Sequence, residues 1–295
     1  MEIEKIKIIV LGANGQLGQE FRYLASENKD IDFVFFGRDE VDICSEDDLQ
    51  RIILENNPKF VINCAAYTAV DKAETEVDQC FAINRDACTT ITNVLNGKDI
   101  KLIHFSSDYV YNSYTGFPIK EDDNKNPQSV YATSKLEGEN IIRASGVPTL
   151  IIRTSWVVSS FGHNFVKTMK KLGAEREQLN VVNDQYGAPT YARHLAKSVI
   201  DIIMKVTENP SLDLHFNDTY NYANEGLITW YDLASQVMKL AELPCKVSPI
   251  PTSAYPTPAS RPLWSVMSKQ KIKHNFDILI PHWYTAVKEC MDENN

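Results

Sequence analysis

The sequence IKIIVLGANGQLG, residues 6–18, joins a run of mostly β-branched residues to a glycine-rich turn. Residues 6–11 are almost continuously apolar, which is typical of a strand buried on both faces of a parallel sheet. Gly12, Gly15 and Gly18 follow directly, and a helical pattern begins at Gln16. Glycine lets the backbone approach a pyrophosphate, and a helix N-terminus favours its negative charge. The stretch therefore predicts the first βαβ unit of a dinucleotide-binding fold.

The type of dinucleotide depends on the tip of the second predicted strand. The loop spacing is GxxGxxG rather than the more common GxGxxG. About twenty positions further on, a carboxylate would accept hydrogen bonds from the adenosine ribose, but this chain has Gly37-Arg38 there. Arg38 is placed to meet a 2′-phosphate, which favours NADPH over NADH. Because Asp39 and Asp42 follow closely, NADH as cofactor and a plain surface position for Arg38 stay open.

Strand-like and helix-like stretches alternate through the first half of the chain. The pattern predicts strands at 6–11, 32–36, 60–63, 101–105 and 149–153. It predicts helices at 16–26, after the N-cap Ser45, at 78–95 and at 131–144. Alternation of this kind predicts an α/β fold, a Rossmann-type doubly wound parallel sheet with helices on both faces.

The second half is less regular. It predicts helices at 164–172, 192–205 and 230–241, and an extended proline-rich segment at 249–262. We expect a smaller α/β substrate-binding lobe made from pieces of this half. The predicted division assigns 1–155 plus about 190–224 to the dinucleotide-binding domain, and about 156–189 plus 225–295 to the lobe.

Tyr131 and Lys135 lie four residues apart in a predicted helix, so their side chains share one face. A nearby ammonium lowers the pKa of a phenol, which would make Tyr131 a proton donor to a carbonyl being reduced. Ser107 lies just after a predicted strand, where the active-site loops of a doubly wound sheet emerge. The YxxxK spacing alone is also compatible with two surface residues, but the serine and the glycine loop favour an active site.

Composition excludes several classes of protein. The chain has 295 residues, 43% of them hydrophobic, and a net charge of −9. A chain of this size buries a large core without metal or disulfide staples, and its acidic balance argues against nucleic-acid binding. There is no apolar stretch of membrane-spanning length, no signal-peptide pattern and no CxxC among the six cysteines. We therefore expect a soluble, cytoplasmic protein with reduced thiols.

Taken together, the GxxGxxG loop, the serine after the fourth strand and YxxxK resemble the extended short-chain dehydrogenases/reductases. Longer blocks narrow the resemblance to the dTDP-4-dehydrorhamnose reductase family. These blocks are NCAAYTAVDKAE at 63–74, SSDYVY at 106–111, RTSWVV at 153–158, VNDQYGAPT at 182–190 and the proline-rich stretch at 251–262. The matching blocks lie between residue 6 and about residue 283, nearly the whole chain.

The resemblance implies roles for the matching residues. On the cofactor side it implies Gly12, Asn14, Gly15, Gln16, Leu17, Arg38, Asp42, Ile43, Ala65, Ala66, Tyr67, Thr68, Tyr131 and Lys135. It implies a catalytic trio of Ser107, Tyr131 and Lys135, with serine where many relatives have threonine. On the substrate side it implies Ser107, Asp108, Tyr109, Trp156 and Arg261, the last facing a diphosphate. A core position for Trp156 and a surface position for Arg261 are the alternatives.

The implied reaction is the NADPH-dependent reduction of the 4-keto group of dTDP-4-dehydro-L-rhamnose to dTDP-L-rhamnose. A nucleotide-sugar dehydratase is disfavoured, because Asp108-Tyr109 stands where eliminating water needs an Asp-Glu pair. Open alternatives are another nucleotide-sugar reductase or epimerase, and a non-catalytic NADP-binding regulatory subunit like the methionine adenosyltransferase beta subunit. Some relatives bind a divalent cation such as Mg²⁺ between subunits, but the sequence identifies no ligands for one. The oligomeric state, including a homodimer, stays open.

Overall fold

The computed structural model describes residues 5–112 and 116–293. Its strands are β1 Ile6–Leu11, β2 Ile31–Phe36, β3 Phe60–Asn63, β4 Lys101–Ser107, β5 Thr149–Thr154, β6 Val157–Val158, β7 Gln178–Val182, β8 Tyr186–Gly187, β9 Thr190–Tyr191, β10 Asp218–Tyr222, β11 Ile228–Thr229 and β12 Lys246–Ile250. A six-stranded parallel sheet in the order β10-β5-β4-β3-β1-β2 forms the centre. The predicted doubly wound α/β class is confirmed.

Helices cover both faces of this sheet. They are α1 Gln16–Ala25, α2 Glu46–Asn56, α3 Val70–Ala73, α4 Val77–Phe81, α5 Ala87–Leu95, α6 Val130–Ser145, α7 Phe165–Glu175, α8 Ala192–Glu208, α9 Trp230–Leu240, α10 Gln270–Phe276 and α11 Trp283–Asp292. The helix predicted at 78–95 is interrupted by one π-helical turn, Ala82–Asp86. None of the described helices is both long and apolar enough to cross a membrane.

The continuous apolar run of β1 is explained by burial on both sides. Ile8 and Val10 belong to the core between the sheet and the helices α1 and α8. Ile9 and Leu11 belong to the core on the opposite face, with α2, α5 and α6. All four side chains are almost fully buried. A strand of this kind has no solvent face, so its sequence does not alternate.

Strand order reverses beside β1, and this creates a crevice. β1 pairs with β2 on one side and with β3 on the other. The connections that leave the carboxyl ends of these strands therefore diverge, as at the ligand-binding edge of other doubly wound sheets. Loops after β1, β2, β3 and β4 all open at this edge.

A separate apolar cluster lies in the second half of the chain. It is formed by α7, α9 and α11 together with β7, which pairs with β12. α10 instead packs Ile272 and Phe276 against the central sheet. The proline-rich segment is extended only through Ile250, and a short 3₁₀ turn follows at Thr252–Ala254.

Candidate active site

The carboxyl ends of β1, β2 and β3 open into a cavity of about 470 Å³. A glycine is needed where β1 turns into it. Gly12 has φ +71°, and a Cβ there would lie 2.5 Å from the backbone nitrogen of Ala65. The turn thus lets the loop after β1 pack directly on the loop after β3. The cavity is lined by Gly12, Asn14, Gly15, Arg38, Val41, Asp42, Ile43, Cys44, Cys64, Ala65, Ala66, Gln79 and Ile83.

This cavity suits an anionic small molecule. Gly15 is the N-cap of α1, with no side-chain cap and no acidic residue in the first helical turn. The N–H groups of that turn and the positive end of the helix dipole therefore favour an anion. The volume lies within the usual range of small-molecule sites.

Not every residue predicted for the cofactor lines the cavity. Gln16 accepts a hydrogen bond from Asn164 Nδ2 at 3.0 Å, and Leu17 packs against the core of the sheet. Tyr67 is buried and donates to Glu76 Oε2 at 2.6 Å, while Thr68 is exposed. The other predicted loop residues lie on the cavity wall: Gly12, Asn14, Gly15, Arg38, Asp42, Ile43, Ala65 and Ala66.

Two of the acids near the tip of β2 accept hydrogen bonds from backbone N–H groups, while Asp39 is exposed. Glu40 accepts from the Gly37 N–H at 2.8 Å, and Asp42 accepts from the Cys44 N–H at 2.9 Å. Arg38 is exposed and lies on the cavity wall. The Arg38 guanidinium is therefore available to the adenosine end of a bound dinucleotide.

Ser107, Tyr131 and Lys135 come together beside this crevice. Ser107 is the last residue of β4, and Tyr131 and Lys135 lie one turn apart in α6. Tyr109 connects Ser107 and Tyr131, because its N–H donates to Ser107 Oγ at 3.2 Å and its ring packs edge-on against the Tyr131 ring. The Lys135 ammonium is buried and donates to the Phe105 carbonyl at 2.7 Å.

The pKa of Tyr131 differs from the expectation. Burial raises it to about 12, and the Ser107 hydroxyl only partly opposes this effect. Lys135 does not lower it, because the ammonium is directed to Phe105, and burial lowers the pKa of Lys135 itself. Tyr131 therefore carries its proton at neutral pH, as a proton donor must.

Asp108 and Tyr109 lie next to Ser107 and Tyr131. Asp108 is buried and accepts a hydrogen bond from Ser107 Oγ at 3.0 Å. Burial raises the pKa of Asp108 to about 6. The Tyr109 ring meets the Tyr131 ring edge-on, with 5.6 Å between centroids. Both residues predicted to contact substrate thus touch the candidate catalytic residues.

A second cavity, of about 650 Å³, lies against the apolar cluster of the second half. The Trp156 ring stacks on Trp230, one of the lining residues, at 3.7 Å between centroids. Trp156 adopts φ +48°, and Gly187 leaves room for its ring. Arg261 also lines this cavity. The full lining is Phe165, Met169, Leu172, Arg176, Gln178, Leu179, Asn180, Val181, Val182, Gln185, Trp230, Ile250, Ala254, Tyr255, Thr257 and Arg261.

Comparison with known proteins agrees with this geometry. The family described as the RmlD substrate binding domain matches residues 6–295. The dTDP-4-dehydrorhamnose reductase of Burkholderia thailandensis is 36% identical over 295 residues, covering 97% of this chain and 98% of that protein. The chain belongs to the dTDP-4-dehydrorhamnose reductase family. The resemblance seen in the sequence motifs is confirmed.

Solved structures of this family superpose closely. The crystal structure of a dTDP-4-dehydrorhamnose reductase from Clostridium acetobutylicum has a TM-score of 0.89 and 34% identity, and covers 97% of this chain and 98% of that one. The enzyme from Bacillus anthracis, crystallised in complex with NADP, has a TM-score of 0.89 and 32% identity, with 98% and 99% covered. The likeness therefore extends over nearly the whole chain.

Sequence reasoning missed Asn84, whose hydrogen bonds connect the loop after β3 to helix α6. Its Oδ1 accepts from the Tyr67 N–H at 2.9 Å, and its Nδ2 donates to the Tyr67 carbonyl and to Ser134 Oγ at 3.1 Å each. Asn84 lies in the π-helical turn, a feature often found at functional sites. Periodicity cannot locate such a turn, so the residue gave no signal.

Trp230 was also missed, because the sequence analysis treated it only as the start of a helix. Its stacking partner is Trp156, so one residue of this aromatic pair was among the predicted site residues.

No group of three or more His, Cys, Asp or Glu side chains in residues 5–112 and 116–293 is arranged to hold a metal ion. His104, in β4, is buried and contacts Asn63 at 3.2 Å.

Proposed function

We propose that this chain reduces the 4-keto group of dTDP-4-dehydro-L-rhamnose to give dTDP-L-rhamnose, using NADPH. The observation that carries the proposal is the placement of Ser107 at the end of β4 and of Tyr131 and Lys135 on α6, beside the cavity at the ends of β1, β2 and β3. Membership of the reductase family and the names of its relatives support the choice of substrate.

In this proposal the chain orients a carbonyl and supplies a proton. Bound NADPH supplies the hydride. Tyr131 donates to the substrate carbonyl oxygen and gives its proton to that oxygen as the C–H bond forms. The Ser107 hydroxyl donates to the same oxygen when it gives up its hydrogen bond to Asp108. Lys135 lies buried at the bottom of the site, and its ammonium is available to donate to the nicotinamide ribose. Acid catalysis of this kind contributes roughly 10² to 10⁴-fold.

The second cavity is proposed to hold the nucleotide part of the substrate. Trp230, on which Trp156 stacks, and Phe165 line the cavity with apolar rings, and Arg261 offers a cation for the diphosphate. This assignment follows the predicted division, with residues 1–155 and about 190–224 binding the dinucleotide and the remainder forming the substrate lobe, except that α10 packs against the central sheet.

NADPH is proposed over NADH because Arg38 lies on the cavity wall while Glu40 is held by the backbone. The NADP complex of the Bacillus anthracis relative supports this choice. Arg38→Ala should weaken NADPH binding by roughly tenfold, as expected for a lost charge-assisted hydrogen bond, and leave NADH binding nearly unchanged. Calorimetric titration with both cofactors measures this. Equal losses would mean that Arg38 does not contact a 2′-phosphate.

The reaction type is tested by following nicotinamide absorbance with dTDP-4-dehydro-L-rhamnose and NADPH. A reductase consumes NADPH stoichiometrically with product. An epimerase or dehydratase returns the hydride to its substrate, and a regulatory subunit binds the cofactor without turnover. Absence of net NADPH consumption, with cofactor binding intact, would contradict the proposal.

A further inference from the structure

Arg261 is held by a carboxylate from the other half of the chain. Its Nη2 donates to Asp71 Oδ2 at 2.7 Å, and its Nη1 donates to Asp71 Oδ1 at 3.1 Å. Nη1 also donates to the Ala259 carbonyl at 3.2 Å. Two residues 190 positions apart in the sequence thus form a two-pronged ion pair.

This pair leaves one edge of the guanidinium available. Arginine has five N–H donors, two on each Nη and one on Nε. The contacts with Asp71 and Ala259 use both donors of Nη1 and one of Nη2. The Nε donor and the second Nη2 donor have no hydrogen-bond partner among the described residues. These two donors are adjacent and parallel, which is the geometry that binds two oxygens of a phosphate.

Asp71 is itself fixed. Its Oδ1 accepts from the Ala259 N–H at 3.2 Å, so the carboxylate also anchors the backbone next to Arg261. Asp71 lies in α3, and Glu74 just after that helix accepts from the Val130 N–H at 2.9 Å, the first residue of α6. The segment that carries Asp71 is therefore tied to the helix that carries Tyr131.

We propose that Asp71 is a positioning residue for substrate binding. It holds one edge of Arg261 so that the Nε–Nη2 edge faces the diphosphate of the nucleotide sugar. This inference rests on the proposed function, since it takes a nucleoside diphosphate as the ligand. The alternative is that Asp71 occupies the anion site and must be displaced by substrate. The donor count favours positioning, because an unused edge remains while Asp71 is bound.

The test is calorimetric titration of Asp71→Asn with dTDP. Without the carboxylate, Arg261 must be ordered by the ligand itself, and freezing one long side chain is worth about three- to tenfold in affinity. We expect dTDP to bind about three- to tenfold more weakly, with NADPH affinity unchanged. Asp78→Asn is the matched control, because it removes the same charge from an exposed position in α4, and its dTDP affinity should equal that of the wild type.

A double-mutant cycle identifies the cause. In an Arg261→Ala background, Asp71→Asn should cause no further loss, because the group that it positions is gone. Unchanged or tighter dTDP binding by Asp71→Asn would overturn the inference, and so would an equal loss in the Arg261→Ala background. If wild-type protein binds NADPH but not dTDP, the proposed substrate class fails and this inference fails with it. If wild type binds dTDP and Asp71→Asn binds it equally, the inference alone fails.

Discussion

At the scale of single residues, burial favours the protonated forms of two side chains in the candidate active site. Burial raises the pKa of Tyr131 to about 12, so its phenol is protonated throughout the neutral range. Asp108, one residue after Ser107, is also buried, and its pKa rises to about 6. A reduction needs a proton donor, and a protonated Tyr131 meets that requirement.

Tyr131→Phe should lower kcat by at least about 10²-fold, the lower end for a positioned general acid. The substitution removes one oxygen and keeps the ring, so the edge-on contact with Tyr109 should survive. Steady-state kinetics measures the loss, and NADPH affinity should be unchanged because the glycine loop is untouched. A variant that keeps more than a tenth of wild-type kcat would exclude Tyr131 as the proton donor.

The raised pKa of Asp108 predicts that the stability of the folded protein depends on pH. Its pKa rises from 3.8 to about 6 in the folded protein, so the folded state holds the proton more tightly. Its contribution to stability is therefore lost as the pH rises from about 4 to about 6, and above that range the buried charge opposes folding. At pH 8, Asp108→Asn should raise the free energy of unfolding by up to about 3 kcal/mol.

Urea unfolding at several pH values measures this effect. The gain from Asp108→Asn should shrink between pH 8 and pH 5, because the wild-type carboxyl takes up its proton there. Asp78→Asn removes an exposed carboxylate and should show no such pH dependence. A gain that is the same at both pH values would contradict a raised pKa of Asp108 in the folded protein.

At the scale of secondary structure, the sequence predicts elements in which apolar residues have a regular local spacing and misses elements in which they do not. β1 and β3 have the predicted bounds because each is a short apolar run between turn signals. The sixth strand of the sheet, β10, was not predicted, because Asp218 and Asn221 interrupt its apolar pattern. The π-helical turn within 78–95 was missed because one extra residue in a helical turn hardly alters the apolar spacing.

The glycine turn shows which substitutions affect the fold and which affect the site. Gly15 has φ −77°, which any residue adopts, and a Cβ there would approach only the Gly12 carbonyl, at 3.3 Å. Gly15→Val should therefore remain folded, yet weaken NADPH binding by at least about tenfold, since its side chain would crowd a packed ligand. Cofactor titration and thermal unfolding measure the two effects.

Gly12→Ala and Gly18→Ala are the comparison variants. A Cβ at either position would lie 2.5 Å from a backbone atom, so both should lower Tm markedly. Gly15→Val with wild-type NADPH affinity would contradict the assignment of the pyrophosphate to this turn.

At the scale of the whole molecule, the sequence predicts residues near one strand end better than contacts between distant segments. The trio of Ser107, Tyr131 and Lys135 could be named because residue spacing and strand ends are local features. The contact between Asp71 and Arg261 joins residues 190 positions apart, and no pattern in one sequence marks such a pair. The stacking of Trp156 on Trp230 likewise depends on how two distant segments pack.

The central claim is that the two cavities place the nicotinamide of NADPH and the 4-keto group of the sugar next to each other, beside the Tyr131 hydroxyl. Transfer of deuterium tests it most directly. With NADPH carrying deuterium at both positions of nicotinamide C4, the wild-type protein should convert dTDP-4-dehydro-L-rhamnose to a product with one deuterium atom, bonded to sugar C4, as read by mass spectrometry and NMR. A product without deuterium at C4, or no product while both ligands bind, would contradict the account.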